Sequence, residues 1–258
     1  MHPIFPPMDP YIRTARHIVP RVSRQTVAGA PEALRGRRLV FASDFHLREE
    51  TSPEPVVEAI QNCRADLILL GGDYADTNAQ ALRLFDAFRA LRAPMGIFAV
   101  RGNNDTEAFE TPERLAEGLA CFGAELLLNR SVDLGGVLVG GVDEARLGHP
   151  DYAAVFGDAP GYRILLAHYP ILPEAEPADM PDLMLSGHTH GGQFNFLGIT
   201  PFAVGFERCG GKSRLAPALV SGTMRFGRTQ LLVSKGIGTS RIPLRVGVRP
   251  EIHLLEFC

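Results

Sequence analysis

The feature that most constrains the fold is an alternation of apolar runs and amphipathic segments in residues 38–100. Short apolar runs at 38–43, 67–70 and 97–100 predict buried strands. The segments between them, 53–63 and 77–91, place apolar side chains at helical spacing, and the first begins with a proline suited to a first helical turn. A strand–helix–strand–helix–strand order predicts parallel strands joined by right-handed crossovers. We therefore expect an α/β fold.

The second half of the chain has short apolar runs separated by glycines. They predict strands at 125–128, 137–142, 164–167, 183–186, within 219–234 and at 251–257. Because consecutive short strands usually pair antiparallel, we expect a second, antiparallel sheet stacked on the first. Repeats and linkers are absent from the sequence. We therefore predict one domain over residues 1–258, with a basic N-terminal extension or edge strand at 1–37 and a core at 38–258.

Side chains able to bind metal follow five of the predicted strands. In chain order these groups are Asp44 with His46 (DFH), Asp73 (GDYAD), Asn103 (GNND), His168, and His188 with His190 (GHTHGG). Open α/β sheets place their sites in loops beyond the carboxyl ends of parallel strands, so we expect these groups to meet. Residues two apart on an extended segment point the same way, which lets Asp44 and His46 share one site.

The chemistry of these groups predicts a binuclear metal site. Imidazole nitrogen mixed with carboxylate and amide oxygen suits Mn, Fe, Zn or Co better than Ca, which prefers oxygen ligands alone. Seven such groups are more than one tetrahedral ion uses. Two ions, about 3.5–4 Å apart, are the natural inference.

The series D-x-H, G-D-x-x-D, G-N-x-D, a single H and G-H-x-H closely resembles the calcineurin-like metallophosphoesterase superfamily. The resemblance covers residues 39 to about 193, and GHTHGGQ followed by SKGIGTSRIPLRVGVRPEI resembles the bacterial YkuE/YaeI-type phosphohydrolase branch. It implies a four-layer α/β/β/α sandwich of two mixed β-sheets flanked by helices. It also implies metal-dependent hydrolysis of a phosphoester, with two divalent ions that we expect to be Mn²⁺, and with Fe, Zn, Co or Mg as alternatives.

The resemblance further implies which residues bind each ion. One ion would be bound by Asp44, His46 and His190, and the other by Asn103, His168 and His188. Asp73 would bridge both ions and so take part in catalysis. Ser43, Asp76 and Asp105 could orient these ligands, although a role in a turn or a helix cap is equally open for Asp76 and Asp105.

The sequence departs from the family pattern at Asn104, where a histidine that assists the leaving group is usual. We place Asn104 in the catalytic set, because a carboxamide can donate a hydrogen bond to phosphate, but it is not a general acid near neutral pH. Arg101 or His149 could act in its place. The departure favours a good leaving group, as in a phosphodiester or pyrophosphate. A related branch that replaces the same histidine cleaves UDP-2,3-diacylglucosamine, which is our first specific candidate.

Charge is unevenly distributed along the chain. Residues 1–38 carry seven arginines against two acidic residues, residues 205–258 carry nine basic against three acidic, and residues 39–204 carry ten basic against 24 acidic. The acidic middle suits cation binding and argues against a nucleic-acid substrate. The basic ends could face an anionic substrate or a membrane, or could only solvate edge strands. Apolar residues that fit either a lipid substrate or ordinary packing are Phe194, Phe196, Leu197, Phe202 and Phe206.

The sequence also leads to expectations about the location of the protein, its substrate and its alternative functions. We expect no membrane span and no signal peptide, because no apolar run or h-region is long enough. The four widely spaced cysteines predict free thiols, and hence a cytoplasmic protein that could contact the inner membrane peripherally. We expect a phosphate-containing small molecule or lipid as the substrate, and no obligate protein partner. The alternatives are a general nucleotide or phospholipid phosphodiesterase and a non-catalytic binding module.

Overall fold

The structure is a computed structural model that describes residues 11–174, 180–195 and 220–258. In chain order its strands are β1 (Ile12–Thr14), β2 (Arg21–Val27), β3 (Arg38–Ala42), β4 (Leu67–Leu70), β5 (Ile97–Ala99), β6 (Ala124–Leu126), β7 (Arg130–Asp133), β8 (Val137–Gly141), β9 (Tyr162–Leu166), β10 (Leu183–Ser186), β11 (Gly222–Phe226), β12 (Thr229–Val233), β13 (Leu244–Val246) and β14 (Glu251–Phe257). The α-helices are α1 (Glu54–Asn62), α2 (Asn78–Phe88), α3 (Asn103–Ala108), α4 (Pro112–Ala120) and α5 (Tyr152–Phe156).

The first sheet contains the strands predicted in residues 38–100. Its order is β2-β14-β3-β4-β5-β6, and β3, β4, β5 and β6 are parallel to one another. The predicted strand–helix–strand–helix–strand unit is therefore confirmed, with α1 and α2 as its crossovers. The edge strand β2 runs parallel to β14, which is antiparallel to β3.

The second sheet differs from the expected antiparallel arrangement. Its order is β11-β12-β10-β9-β8-β7, and β8, β9, β10 and β12 are parallel to one another. Within the described ranges, antiparallel pairing in this sheet is confined to β7–β8 and β11–β12. The prediction was wrong because the connections 142–161, which contain α5, and 167–182 are long enough for crossovers. The run at 125–128 contributes β6, which joins the first sheet instead.

The two sheets pack face to face with helices outside them. Along β3, Leu39 and Phe41 point into a core shared by both sheets, and Val40 and Ala42 point into a core shared with α1, α2 and α4. A third core packs Val155 and other α5 residues on the outer face of the second sheet. This arrangement confirms the four-layer α/β/β/α sandwich.

Local sequence signals set the helix boundaries. The Thr77 hydroxyl caps α2 by accepting a hydrogen bond from the Gln80 backbone N–H at 3.4 Å. The helix ends at Phe88, three residues before the predicted end, although Leu91 is still buried. Helices α3, α4 and α5 were not predicted. Strands β3, β4, β5, β9 and β10 all end at one edge of the sandwich, where the predicted metal-binding groups lie.

Candidate metal centre

Loops after five strands bring the predicted metal-binding side chains together. Two overlapping clusters have ligand atoms within 4.8 Å of one another, one of Asp44, His46 and His190 and one of Asp44, Asp73 and His168. All five residues are buried, with at most 6% of their surface exposed. Buried groups of this kind require a cation or protons to balance the carboxylate charge.

The backbone adopts left-handed conformations at five of the predicted metal ligands. Positive φ angles occur at Asp44 (54°), His46 (38°), Asp73 (55°), His188 (68°) and His190 (52°). Each such angle costs on the order of 1 kcal/mol in a residue with a side chain, and these costs concentrate at functional sites. The expectation that Asp44 and His46 lie on an extended segment is therefore wrong, because both residues have left-handed backbone angles.

Two glycines permit the close approach of the loops. A Cβ atom on Gly102 would lie 2.1 Å from Oδ1 of Asp73, and one on Gly187 would lie 2.2 Å from Oδ2 of Asp44. Neither position has room for a side chain. The G-N and G-H dipeptides of the sequence motifs therefore let the backbone contact the two central carboxylates directly.

The first cluster is organised around two imidazoles. Nε2 of His190 lies 3.1 Å from Nε2 of His46 and 3.6 Å from Oδ1 of Asp44. The backbone N–H of His188 donates a 2.8 Å hydrogen bond to that same Oδ1. Oδ2 of Asp44 is buried without a hydrogen-bond partner among the described residues. Two ring nitrogens and a carboxylate oxygen thus lie close enough together to bind one ion.

Asp73 lies between the two clusters. Its Oδ2 is 3.3 Å from Nε2 of His46 and 3.4 Å from Nε2 of His168, and its Oδ1 accepts the Asn104 backbone N–H at 2.9 Å. The resemblance assigns these two histidines to different ions. A carboxylate oxygen midway between them has the position that a bridging ligand requires.

The second cluster continues through His188 and Asn103. The rings of His168 and His188 are 5.2 Å apart, and Tyr169 packs on His188 at 3.9 Å between ring centroids. The Tyr169 hydroxyl donates to Oδ1 of Asn103 at 3.2 Å. The described structure therefore brings all seven predicted ligands to one edge of the sandwich.

Unsatisfied buried atoms show that the site fits divalent cations. Nδ1 of His168 donates a 2.8 Å hydrogen bond to the Gly71 carbonyl, which leaves Nε2 as the ring nitrogen available to a metal ion. That Nε2 is buried and has no hydrogen-bond partner in the described ranges, like Oδ2 of Asp44. Such atoms are rare in folded proteins unless a ligand satisfies them. The mixed nitrogen and oxygen donors suit transition-metal ions.

The pKa values of the site reflect its crowded charges in the metal-free protein. Burial disfavours charged imidazole, but Asp73 outweighs it and raises the pKa of His46 and His168 to about 10. Burial and the charge on His168 lower the pKa of His188 to about 3. Metal ions that bind these ring nitrogens would compete with protons for them.

Asp76 and Asp105 perform different tasks around this cluster. Asp76, which is exposed, accepts a 3.0 Å hydrogen bond from Nδ1 of His46 and so directs Nε2 toward the cluster. Asp105 is buried and accepts the backbone N–H groups of Asp73 at 2.6 Å, Tyr74 at 2.9 Å and Gly102 at 2.8 Å. It therefore ties the loop after β4 to the loop after β5.

Ser43 completes the support of His168. Its buried hydroxyl donates to the Gly71 carbonyl at 3.2 Å, the same oxygen that accepts from Nδ1 of His168. The shared carbonyl fixes the tautomer and the ring orientation of this histidine.

The three candidates for leaving-group assistance lie in different environments. Asn104 lines the cleft, and its Nδ2 donates to Oδ1 of Asp76 at 3.2 Å. Arg101 is buried and forms a bidentate ion pair with Asp143, at 2.5 and 2.7 Å, so its guanidinium is already engaged. His149 is exposed, and its backbone N–H donates to Asp143. Of these three, the described cleft residues include Asn104 alone.

A cleft of about 510 Å³ opens above the cluster. Its described lining residues are mostly polar and include both signs of charge: Asp73, Asp76, Asn103, Asn104, Glu107, Arg146, His188, His190, Ser240 and Arg241. The metal cluster forms its floor. A polar cleft of this size suits a small phosphate-containing molecule.

Sequence reasoning missed several residues that shape the site. Asp143, Tyr169, Gln193 and the fully buried Arg245 all contact its loops. Arg245 donates to the carbonyls of Gly238 at 2.7 Å and Lys235 at 2.8 Å and reaches the His190 carbonyl at 3.3 Å. The signal available was the branch motif itself, because Gln193 and Arg245 both lie in it.

The predicted apolar substrate contacts lie largely outside the described residues. Phe196, Leu197, Phe202 and Phe206 fall in the range 196–219, which the structure does not describe. Phe194 is described, is partly exposed and forms an isolated bridge with Val246. Within the described ranges, no helix is long and apolar enough to cross a bilayer.

The fold and the site define a metal-dependent phosphoester hydrolase. The profile of the family described as calcineurin-like phosphoesterase matches residues 37–192, and the chain belongs to this family. It is 32% identical over 231 residues to an uncharacterized metallophosphoesterase of Aquifex aeolicus, covering 84% of this chain and 84% of that protein. The predicted superfamily is confirmed.

Two further relatives confirm the branch. The chain is 29% identical over 239 residues to the uncharacterized metallophosphoesterase YkuE of Bacillus subtilis, covering 86% of this chain and 79% of that protein. It is 31% identical over 232 residues to the phosphodiesterase YaeI of Escherichia coli, covering 85% of this chain and 81% of that protein. Family membership makes the enzyme divalent-metal dependent, and the two clusters are its candidate binuclear site.

Proposed function

We propose that this chain is a phosphodiesterase with a binuclear metal centre formed by Asp44, His46, Asp73, Asn103, His168, His188 and His190. The observation that carries the proposal is the buried cluster in which Oδ2 of Asp44 and Nε2 of His168 have no hydrogen-bond partner among the described residues. Cations bound at the cluster would satisfy both atoms. Support also comes from the relative YaeI, which is named a phosphodiesterase.

Two divalent cations at this site would supply a hydroxide near neutral pH and would neutralise charge on the phosphate oxygens. The protein residues provide the geometry. Asp73, placed between His46 and His168, fixes the spacing of the two halves of the site. Asp105 holds the Asp73 backbone, and Asp76 orients His46. We propose Mn²⁺ as the native ion.

Asn104 sets the kind of bond that is cleaved. Its carboxamide lines the cleft and can donate a hydrogen bond to a phosphate oxygen, but it cannot protonate a leaving group. We therefore propose phosphodiesters with good leaving groups, or pyrophosphate bonds, as substrates. UDP-2,3-diacylglucosamine is the more specific candidate, and simple nucleotide or phospholipid diesters are the alternative.

The test is hydrolysis by purified protein stripped of metal and reloaded with Mn²⁺. We expect turnover of bis(p-nitrophenyl) phosphate, loss of turnover with chelator, and a decrease of at least about 10³-fold in the Asp73→Asn variant. Asp66→Asn is a matched control. Asp66 accepts from the Arg38 backbone at the start of β3, at the opposite end of that strand from the site.

The outcomes separate the candidate functions. Cleavage of UDP-2,3-diacylglucosamine at a kcat/KM above that for simple diesters would support the lipid pyrophosphatase. Cleavage of simple diesters without turnover of the UDP-lipid would support the general phosphodiesterase. A wild-type protein that binds two equivalents of Mn²⁺ yet hydrolyses none of these compounds would refute the proposal in favour of a binding module. A cytoplasmic location and peripheral membrane contact remain part of the proposal.

A further inference from the structure

Two arginines line the substrate cleft without an acidic partner among the described residues. Arg146 and Arg241 are exposed and border the same cavity as Asp73 and His188. Neither forms an ion pair with a described residue, whereas Arg101 is fully engaged by Asp143. Guanidinium groups left free beside a phosphate site are the donors that bind anionic oxygens best.

The segment that carries Arg241 is held in place by Gln193, the last residue of the GHTHGGQ motif. Gln193 is 6% exposed. The two N–H groups of its Nε2 are shared among the carbonyls of Ser240 at 3.2 Å, Ile242 at 2.8 Å and Leu244 at 3.0 Å, and its Oε1 accepts the Ser240 N–H at 2.8 Å. One buried amide thus contacts the backbone of residues 240–244 at four atoms. The two parts of the branch motif, GHTHGGQ and GTSRIPLR, are joined in space by these bonds.

A second residue holds the same segment from the other side. Nη2 of Arg48 lies 3.4 Å from the Thr239 carbonyl and 3.3 Å from the Arg241 carbonyl. Arg241 has a φ of 56°, which is uncommon for a residue with a long side chain. Because the backbone is fixed on both sides, Arg241 is held at the cleft wall and binding does not have to order this segment.

The position of the arginines shows which part of a substrate they meet. The scissile phosphate belongs with the buried cluster, whereas both guanidinium groups are exposed on the cleft wall. Two exposed carboxylates, Asp76 and Glu107, also line the cleft, but Asp76 is engaged by His46 and Asn104. Glu107 forms no ion pair with either arginine among the described residues, so both positive charges are available to a group that projects beyond the cluster.

We infer that Arg146 and Arg241 form a second anion subsite, which selects substrates carrying a phosphate in addition to the phosphate that is cleaved. This inference rests on the proposed phosphodiesterase function and specifies its substrate class. Each guanidinium–phosphate contact would raise kcat/KM about 10- to 100-fold, in the range of charge-assisted hydrogen bonds.

A matched pair of substrates tests the inference. Thymidine 5′-(4-nitrophenyl phosphate) and its 3′-phosphorylated analogue share the scissile bond and the leaving group and differ only in the distant phosphate. With Mn²⁺-loaded enzyme, we expect kcat/KM to be at least about 10-fold higher for the 3′-phosphorylated compound, mainly through a lower KM. Arg241→Gln and Arg146→Gln should each lower this ratio about 10-fold.

The control is Arg35→Gln, which changes the net charge equally. Arg35 is exposed and lies just before β3, away from the carboxyl end where the site is. Its ratio should match that of the wild type. A wild-type ratio near one, or an unchanged ratio in Arg241→Gln, would overturn the subsite. Turnover of the unphosphorylated compound in that case would leave the phosphodiesterase proposal intact, whereas no turnover of either compound would overturn both.

Discussion

The Arg101–Asp143 ion pair offers the sharpest structural test of how the site is held. Arg101 follows β5 of the first sheet and Asp143 follows β8 of the second, and the pair is bidentate at 2.5 and 2.7 Å. Arg101 lies two residues before Asn103. The pair therefore links the two sheets at the edge of the metal centre, and substituting either partner leaves the other buried charge unpaired.

The expected magnitude follows from what remains after substitution. Removing one member of a buried ion pair costs about 3–5 kcal/mol. In Arg101→Met, Asp143 still accepts the backbone N–H groups of Glu144 and His149, each at 2.8 Å, so we expect the lower end, about 3 kcal/mol. For a chain of this size that corresponds to a decrease in Tm of roughly 6–12 °C. Asp143→Asn should cost a similar amount.

The assay is a double-mutant cycle on urea unfolding of Arg101→Met, Asp143→Asn and the double variant. We expect a coupling free energy of at least about 2 kcal/mol, because the double variant has no unpaired charge. Coupling below about 0.5 kcal/mol would refute the ion pair as the link between the sheets.

The pH–rate profile adds a second readout. Asp143 holds the pKa of Arg101 above its ordinary value. We therefore expect the pH–rate profile of Arg101→Met to keep its decrease at high pH. If Arg101 donated a proton to the leaving group, that decrease would be lost in the variant.

Two further predictions concern chemistry and pH. Asn104→His should raise kcat more for diesters with poor leaving groups than for p-nitrophenyl esters. The measurement is the dependence of the rate on the pKa of the leaving group, which should become shallower in the variant. An equal change in rate for every diester would contradict the role of Asn104. Glu251 is buried, and burial by itself would raise the pKa of its carboxyl group. Its hydrogen bond to His253 and the charge of Lys235 outweigh burial and lower this pKa to about 2. Because this pKa is below the ordinary value, the carboxylate stabilises the fold above pH 4.5 and loses that effect as the pH falls toward 2. Glu251→Gln should therefore cost about 3 kcal/mol at pH 7, with more than half of the difference gone by pH 3, measured by urea unfolding. A difference independent of pH would contradict the assignment.

The first sheet and the position of the site could be predicted because local signals carry them. Strands β3, β4 and β5 are continuous apolar runs, and each is followed at once by a group able to bind metal. Parallel pairing then places Asp44, Asp73 and Asn103 at one edge without further information. The same logic located His168 and His188 after strands of the second sheet.

The parts that could not be predicted depend on contacts between distant residues. The parallel pairing in the second sheet is set by the crossovers between β8, β9, β10 and β12. The sequence gives the length of these connections but not the path that each one takes. Arg101 meets Asp143 across 42 positions, and Gln193 meets Ser240 across 47, so neither pair has a local pattern. The short helix α3 begins at Asn103, where NNDTEA reads as a turn because Asn and Asp favour turns and caps. Domain boundaries and ligand roles remain predictions.

The buried charge at the site predicts that the effect of one substitution, Asp44→Asn, on the Tm of the protein changes sign when metal ions bind. Without metal, Asp44 is fully buried, its Oδ2 is unpartnered in the described structure, and burial raises its pKa above the ordinary value. Asp44→Asn removes that buried carboxylate and should raise the Tm of the chelated protein, because a neutral amide is less costly to bury than a charged group.

With Mn²⁺ the same substitution removes a proposed ligand to the metal. At a free metal concentration 100 times the Kd, binding stabilises the wild type by about 2.7 kcal/mol per site, and the variant loses part of this. We therefore expect Asp44→Asn to melt above the wild type in chelator and below it in excess Mn²⁺. Asp66→Asn, remote from the cluster, should shift Tm equally in both conditions. If Asp44→Asn lowered Tm by the same amount with and without metal, Asp44 would be a structural residue and the ions would have to be bound by the remaining groups.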